Sequence, residues 1–182
     1  MFIQTEQTPN PSTLKFLPGR VVMEKGTLDF ASVDTAGSSP LAKRLFAIEG
    51  VDRVFFGTDF VTVTKAADRD WQMMKPSILG GIMEHYTSGE PVVAGETAVA
   101  ESGAEDDEVV AQIKELLDTR VRPAVAQDGG DIVFQDFRDG VVYLHMQGSC
   151  SGCPSSTATL KMGIENLLKH YVPEVVEVQA AQ

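Results

Sequence analysis

The sequence predicts an α+β protein built of two small domains joined by a flexible acidic linker. Three observations carry this. Short apolar runs bounded by Gly, Pro and Asn recur in both halves, as strands require. A few longer stretches repeat their apolar residues at helical spacing between recognisable caps. Between the halves, "SGEPVVAGETAVAESGAEDD" has no aromatic residue and no sustained apolar period. Such a composition cannot repay the entropy of ordering.

The predicted boundaries are 1–87 for the first domain, 88–107 for the linker and 108–182 for the second domain. In the first, "MFIQTEQ" and "TLKFLPG" read as strands around the "TPNPS" turn. Ser39 as N-cap and Pro40 at the first helical position open a helix with Leu41, Leu45, Phe46 and Ile48 inward, closed by Gly50. "VDRVFFGTDFVTVTK" reads as a hairpin, and a last helix is expected over Pro76–Tyr86.

In the second domain Val109, Val110, Ile113, Leu116, Leu117 and Val121 follow helical spacing, with Asp106, Asp107 and Glu108 at the positive end of the dipole and Arg120 and Arg122 at the negative end. Pro123 ends or kinks that helix, and "DGGD" at 128–131 makes the turn. "DIVFQDF" and "VVYLHMQG" pair across Asp139-Gly140, a strong hairpin signal. A second helix follows, with Leu160, Ile164, Leu167, Leu168 and Tyr171 as its buried stripe, and "VPEVVEVQ" supplies a third strand. The predicted order is α-β-β-α-β.

Charge narrows the partners. The net charge is −11. Residues 1–87 hold nine basic and ten acidic groups, 88–108 none and seven, and 109–182 six and nine. No basic patch is evident, which argues against nucleic acid as a partner. No apolar run approaches the ~20 residues of a membrane span. The opening residues lack the pattern of a signal or transit peptide, so the expected location is cytoplasmic, or the mitochondrial matrix for a processed chain.

Both cysteines, Cys150 and Cys153, stand two residues apart in "GSCSGCPSSTATL". A disulfide between them would close a tiny loop and stabilise little, which favours a reducing compartment. Gly148 and Gly152 permit a tight loop, and Pro154 at the first helical position makes Cys153 the N-cap. Thiolates there gain from the helix dipole, which suits a redox dithiol, zinc or an iron–sulfur cluster. Zinc and cluster sites typically want four ligands, so a closed site needs two chains. The enzyme-class alternative is a thioredoxin-like thiol–disulfide oxidoreductase. That fold places its motif after an early strand, however, whereas an α-β-β unit precedes the motif here.

Other groups are expected to be bland. His145 alternates with Tyr143 and Gln147 on a solvent face, His170 sits near a helix end, and His85 is structural; none is expected as a ligand. Trp71 reads as a packing residue.

"RPAVAQDGGDIVF", "VVYLHMQGSCSGCPSSTATLKMGIENLLKHYVPEV" and "FIQTEQTPNPSTLKFLPG" resemble the two-domain Nfu family of iron–sulfur cluster scaffold and carrier proteins. The first two segments resemble the C-terminal domain of NifU and the third the Nfu-type N-terminal domain. The resemblance implies a non-enzymatic homodimer that binds a [4Fe-4S] cluster through Cys150 and Cys153 of each subunit, with [2Fe-2S] possible from ligand chemistry. It implies transfer to apo-proteins, such as lipoyl synthase or aconitase, after loading by an upstream donor.

Overall fold

In this computed structural model residues 2–94, 108–149 and 154–181 are described, the side chains of 154–157 aside. The chain divides into two compact units, Met1–Val99 and Ala100–Gln182. The architecture is α+β, as expected. Among the described residues no helix is long and apolar enough to cross a membrane.

Unit one is a five-stranded antiparallel sheet in the order β1-β2-β5-β4-β3. Its strands are β1 (Gln4–Gln7), β2 (Thr13–Leu17), β3 (Leu28–Phe30), β4 (Val51–Phe56) and β5 (Val61–Lys65). The Asn10 side chain accepts from Ser12 N at 3.0 Å, so the predicted turn is closed by the Asx geometry that favours Asn there. Alternation sends Leu14, Phe16, Val54, Phe56, Val61 and Val63 into one core with Leu41, Leu45, Ile78 and Ile82 from the helices. Each such side chain contributes about 2 kcal/mol of burial.

Helix α1 (Pro40–Phe46) starts as predicted, with Ser39 Oγ accepting from Ala42 N at 3.0 Å. The last helix, α2, departs from expectation by running Trp71–Ser88, with Pro76 inside it. Asp70 is the true N-cap, accepting from Gln72 N at 2.9 Å. Pro76, the sixth helical residue, costs the one N–H bond that would reach the Gln72 carbonyl, and it lies on the exposed side. Strand β3 and the 3₁₀ turn Val33–Ser38 were not foreseen; a three-residue edge strand carries too little alternation to read. The chain after α2 is also held. Val92 C=O accepts from Ser39 Oγ at 2.5 Å, Ala94 N donates to Ser38 O at 2.7 Å, and Glu90 pairs with Arg44. The start of the expected linker is therefore part of this unit, and 95–107 lie outside the described residues.

Unit two follows the predicted α-β-β-α-β order. Its first helical segment is α3 (Glu108–Leu116), a π turn over Leu117–Val121 and α4 (Arg122–Gln127). Pro123 thus kinks the helix without ending it, because the widened turn absorbs its missing N–H. Arg120 and Arg122 consequently sit inside the helical run and not at its negative end. Of the acids expected at its start, Glu108 is the first helical residue, and Asp106 and Asp107 lie outside the described residues.

Strands β6 (Gly130–Arg138) and β7 (Val141–Gly148) are joined by Asp139 at φ 50° and Gly140 at φ 80°, the two positive-φ positions of a type I′ turn. Helix α5 (Pro154–Tyr171) leads to β8 (Glu177–Ala180), which pairs parallel to β7. Ile113, Leu117, Val121 and Val125 from the helices meet Ile132, Val142, Leu144, Ile164, Leu168 and Val178 in the second core. Tyr171 was expected inside but is 40% exposed, its ring taken up by Arg120 at 5.2 Å and His170 at 4.9 Å.

Candidate functional site

The two predicted ligands, Cys150 and Cys153, lie outside the described residues, as do Ser151 and Gly152. The structure does define both ends from which this four-residue stretch is suspended. On one side β7 ends at Gly148, whose φ of +64° is a left-handed conformation that suits glycine. Ser149 follows, 2% exposed, and is pinned twice: its N donates to Gly129 O at 3.2 Å and its hydroxyl donates to Asp128 O. On the other side α5 opens at Pro154, as expected; the expected N-cap, Cys153, lies outside the described residues.

The anchor for Ser149 is the "DGGD" turn, and that turn is itself clamped. Asp131 is buried, and Arg122 holds it with a two-pronged bond, Nε to Oδ1 and Nη2 to Oδ2, each at 2.9 Å. Arg122 Nη1 also donates to Asp118 at 3.0 Å, while Asp131 Oδ1 accepts from Ile132 N at 2.8 Å. The fork geometry matches guanidinium to carboxylate and fixes the orientation of both. Hydrogen bonding to Asp131 raises the Arg122 pKa above its ordinary value, so the guanidinium remains charged. The expectation for "DGGD" was a simple turn. It is one, but Asp131 additionally ties the turn to Arg122 at the start of α4, which in turn holds Asp118 of the π segment. An Arg immediately before Pro123, nine residues from an Asp, was the signal available in the sequence.

Helix α5 runs eighteen residues from Pro154, and the positive end of a helix dipole favours anions such as thiolates. Among the described residues no group of three or more His, Cys, Asp and Glu side chains comes together. His145 is half-buried on the face of β7 opposite the core, and His170 is exposed. His85 is fully buried in unit one, with neither ring nitrogen hydrogen-bonded. None of the three joins a described ligand set. Trp71 packs against the core of unit one and donates from Nε1 to Pro11 O at 3.1 Å.

Two family models match the chain: "Scaffold protein Nfu/NifU N terminal" over residues 3–89 and "NifU-like domain" over 113–179. The human protein named NFU1 iron-sulfur cluster scaffold homolog, mitochondrial, is 56% identical over 181 residues, which is 98% of this chain and 71% of the human one. The chain belongs to the Nfu/NifU family. Another member with which it aligns is NifU-like protein 4, mitochondrial, of Arabidopsis thaliana, 55% identical over 98% of this chain and 65% of the plant protein. Among solved structures, a NifU-like protein from Saccharomyces cerevisiae superposes with a TM-score of 0.48 at 27% identity, covering 53% of this chain and 87% of that one. The Nfu/NifU assignment accounts for both units, since the two matched ranges fall one in each.

Proposed function

We propose that this Nfu/NifU protein is a non-enzymatic scaffold and carrier for an iron–sulfur cluster. Two copies share the cluster through Cys150 and Cys153 of each and pass it to apo-proteins. The single observation that carries the reading is the framing of the only two thiols in the chain, by the doubly pinned Ser149 on one side and the start of α5 on the other. The names of the relatives, which include cluster scaffold, agree with it.

The chemistry follows from the donor set. Four thiolates are the usual complement of both [2Fe-2S] and [4Fe-4S] clusters, and one chain supplies half of them. The cluster is cargo here. The chain's part is to keep the thiols ionised and presented, which the α5 dipole favours, and to release the cargo. A cluster held on short loops between subunits exchanges more readily than one enclosed in a core. The family resemblance favours [4Fe-4S]. Unit one, which carries no described ligand set, is assigned to recognising clients or the donor. Residues 95–107 are assigned to tethering the units. The compartment is a reducing one. The names of the relatives give the expected cytoplasmic location no support and favour the matrix alternative.

The test is anaerobic reconstitution with iron and sulfide, followed by mass and by metal and sulfide counts on one sample. About four irons and four sulfides per dimer, with a smaller apo-protein, support the reading. Cys150→Ser and Cys153→Ser should each keep the fold and lose cluster-dependent dimerisation; retained iron and sulfide would remove those residues from the site. A wild-type monomer with no iron and an exchangeable disulfide would support a thiol–disulfide oxidoreductase.

A further inference from the structure

The turn that anchors Ser149 is gripped at both ends by one short helix. Where α4 ends, Asp128 N donates to Val125 O at 3.1 Å and Gly129 N to Ala126 O at 3.0 Å. Where α4 begins, Arg122 reaches nine residues forward and takes the Asp131 carboxylate with Nε and Nη2, each at 2.9 Å. The Asp131 side chain is 4% exposed. Between the two grips lie the carbonyls of Asp128 and Gly129, and those are the acceptors for Ser149.

The strand ladder gives these two acceptors their importance. The register between β6 and β7 ends with Gly130 opposite Gly148. Ser149 lies one residue beyond it, so its two bonds extend the pairing past the end of the sheet. A trans peptide holds consecutive Cα atoms about 3.8 Å apart, so a restraint on Ser149 is passed to the next residue, Cys150. Cys153 instead precedes Pro154 and is joined to α5. The two thiols of one chain therefore hang from different elements, and the first answers to the clamp.

We infer that Arg122 is a positioning residue for the cargo: through Asp131 and the 128–131 turn it holds Ser149, and with it Cys150, in place to retain a cluster. The inference rests on the reading of Cys150 as a cluster ligand. The action is geometric and not electrostatic, because Asp131 and Asp118 together match the charge of the guanidinium. What Arg122 supplies is a planar fork that fixes where the backbone of the turn lies. An ammonium at this position would keep the charge and lose the fork.

The full chain and its variants are loaded anaerobically with iron and sulfide, and the visible absorption of the cluster is followed after a chelator is added. Arg122→Lys should release its cargo about five-fold faster than wild type, the factor that one net hydrogen bond is worth. Ser149→Ala should do the same. The double variant should fall well short of the product of the two effects, because both act on the same restraint. Val178→Ala trims the core beside Val142, at the end of β7 far from Ser149. It should lower the denaturant midpoint and leave release at the wild-type rate. If Arg122→Lys does not fold, Asp131→Asn, which keeps the shape of the side chain, is read in its place. Release at the wild-type rate, or effects that multiply in full with Ser149→Ala, overturns the positioning role and leaves the cluster reading intact. Equal acceleration in Val178→Ala overturns it as well, since general loosening would then suffice. A wild-type chain that loads no cluster overturns both readings together.

Discussion

The hydroxyl of Ser149, a buried residue, donates to the carbonyl of Asp128 across 21 residues of sequence. It is the last described contact before Cys150. Replacing Ser149 with alanine removes the donor from that carbonyl at a part-buried position, a loss of about 1 kcal/mol. Urea unfolding of Ser149→Ala should show that loss. The reconstituted variant should also give up iron to a chelator faster than wild type, and equal release rates would show that the pin does not control the cysteine stretch.

The clamp beneath that bond should matter more. Asp131→Asn removes the two-pronged partner of Arg122 and leaves it Asp118 alone, and breaking one side of this part-buried pair costs about 2–4 kcal/mol. Arg122→Lys should cost nearly as much, since an ammonium cannot make the two-pronged contact. Denaturant midpoints for the two variants check this; a midpoint within error of wild type for Arg122→Lys would show that charge alone suffices.

Ser39 works at both ends of one hydroxyl, capping α1 and donating to Val92. Ser39→Ala should therefore lower the stability of unit one by about 1–2 kcal/mol. It should also raise hydrogen exchange at the Ala94 amide, which bonds to Ser38 O. Exchange at Ala94 unchanged from wild type would mean that the segment is held independently of the cap.

His85 predicts a pH dependence. Burial, followed by the nearby Arg44 charge, lowers its pKa below the ordinary 6.5, with Glu90 opposing. The folded state therefore resists a proton that the unfolded chain accepts. Stability is full above about pH 6.5 and falls as pH drops through the lower folded value. The single tryptophan, Trp71, belongs to this unit, so its emission during urea unfolding at pH 7.5 and 5.5 reads the effect. His85→Phe should flatten the difference between the two pH values. An undiminished difference would assign it to other groups.

The fold was legible where one physical signal dominated. Ser39-Pro40 announced a helix start, and Asp139-Gly140 announced a hairpin, because both depend on local backbone chemistry. Pro76 misled, because it sits inside a helical run whose burial of Ile78 and Ile82 outweighs one lost hydrogen bond, whereas Pro123, expected to end or kink its helix, left open whether the run went on. Tyr171 followed the helical period yet lies on the rim, where a guanidinium covers its ring. For the proposed site, the spacing of Cys150 and Cys153 singles out the two thiols, which lie outside the described residues. Their support could not be read from spacing, because Arg122, Asp131, Asp128 and Ser149 meet only when the helical run, the hairpin and the β7 terminus are brought together.

The parallel pairing of β8 with β7 sets an order on folding. The β6–β7 hairpin closes on itself locally, whereas Val141 must find Glu177, 36 positions later. Parallel neighbours need such a crossover, and contacts of long sequence separation are slow to close. The cysteine stretch lies inside this crossover. A nascent chain therefore carries both thiols well before it has the strand that closes the connection around them. A chain ending short of Glu177 would keep its cysteines and lose that closure.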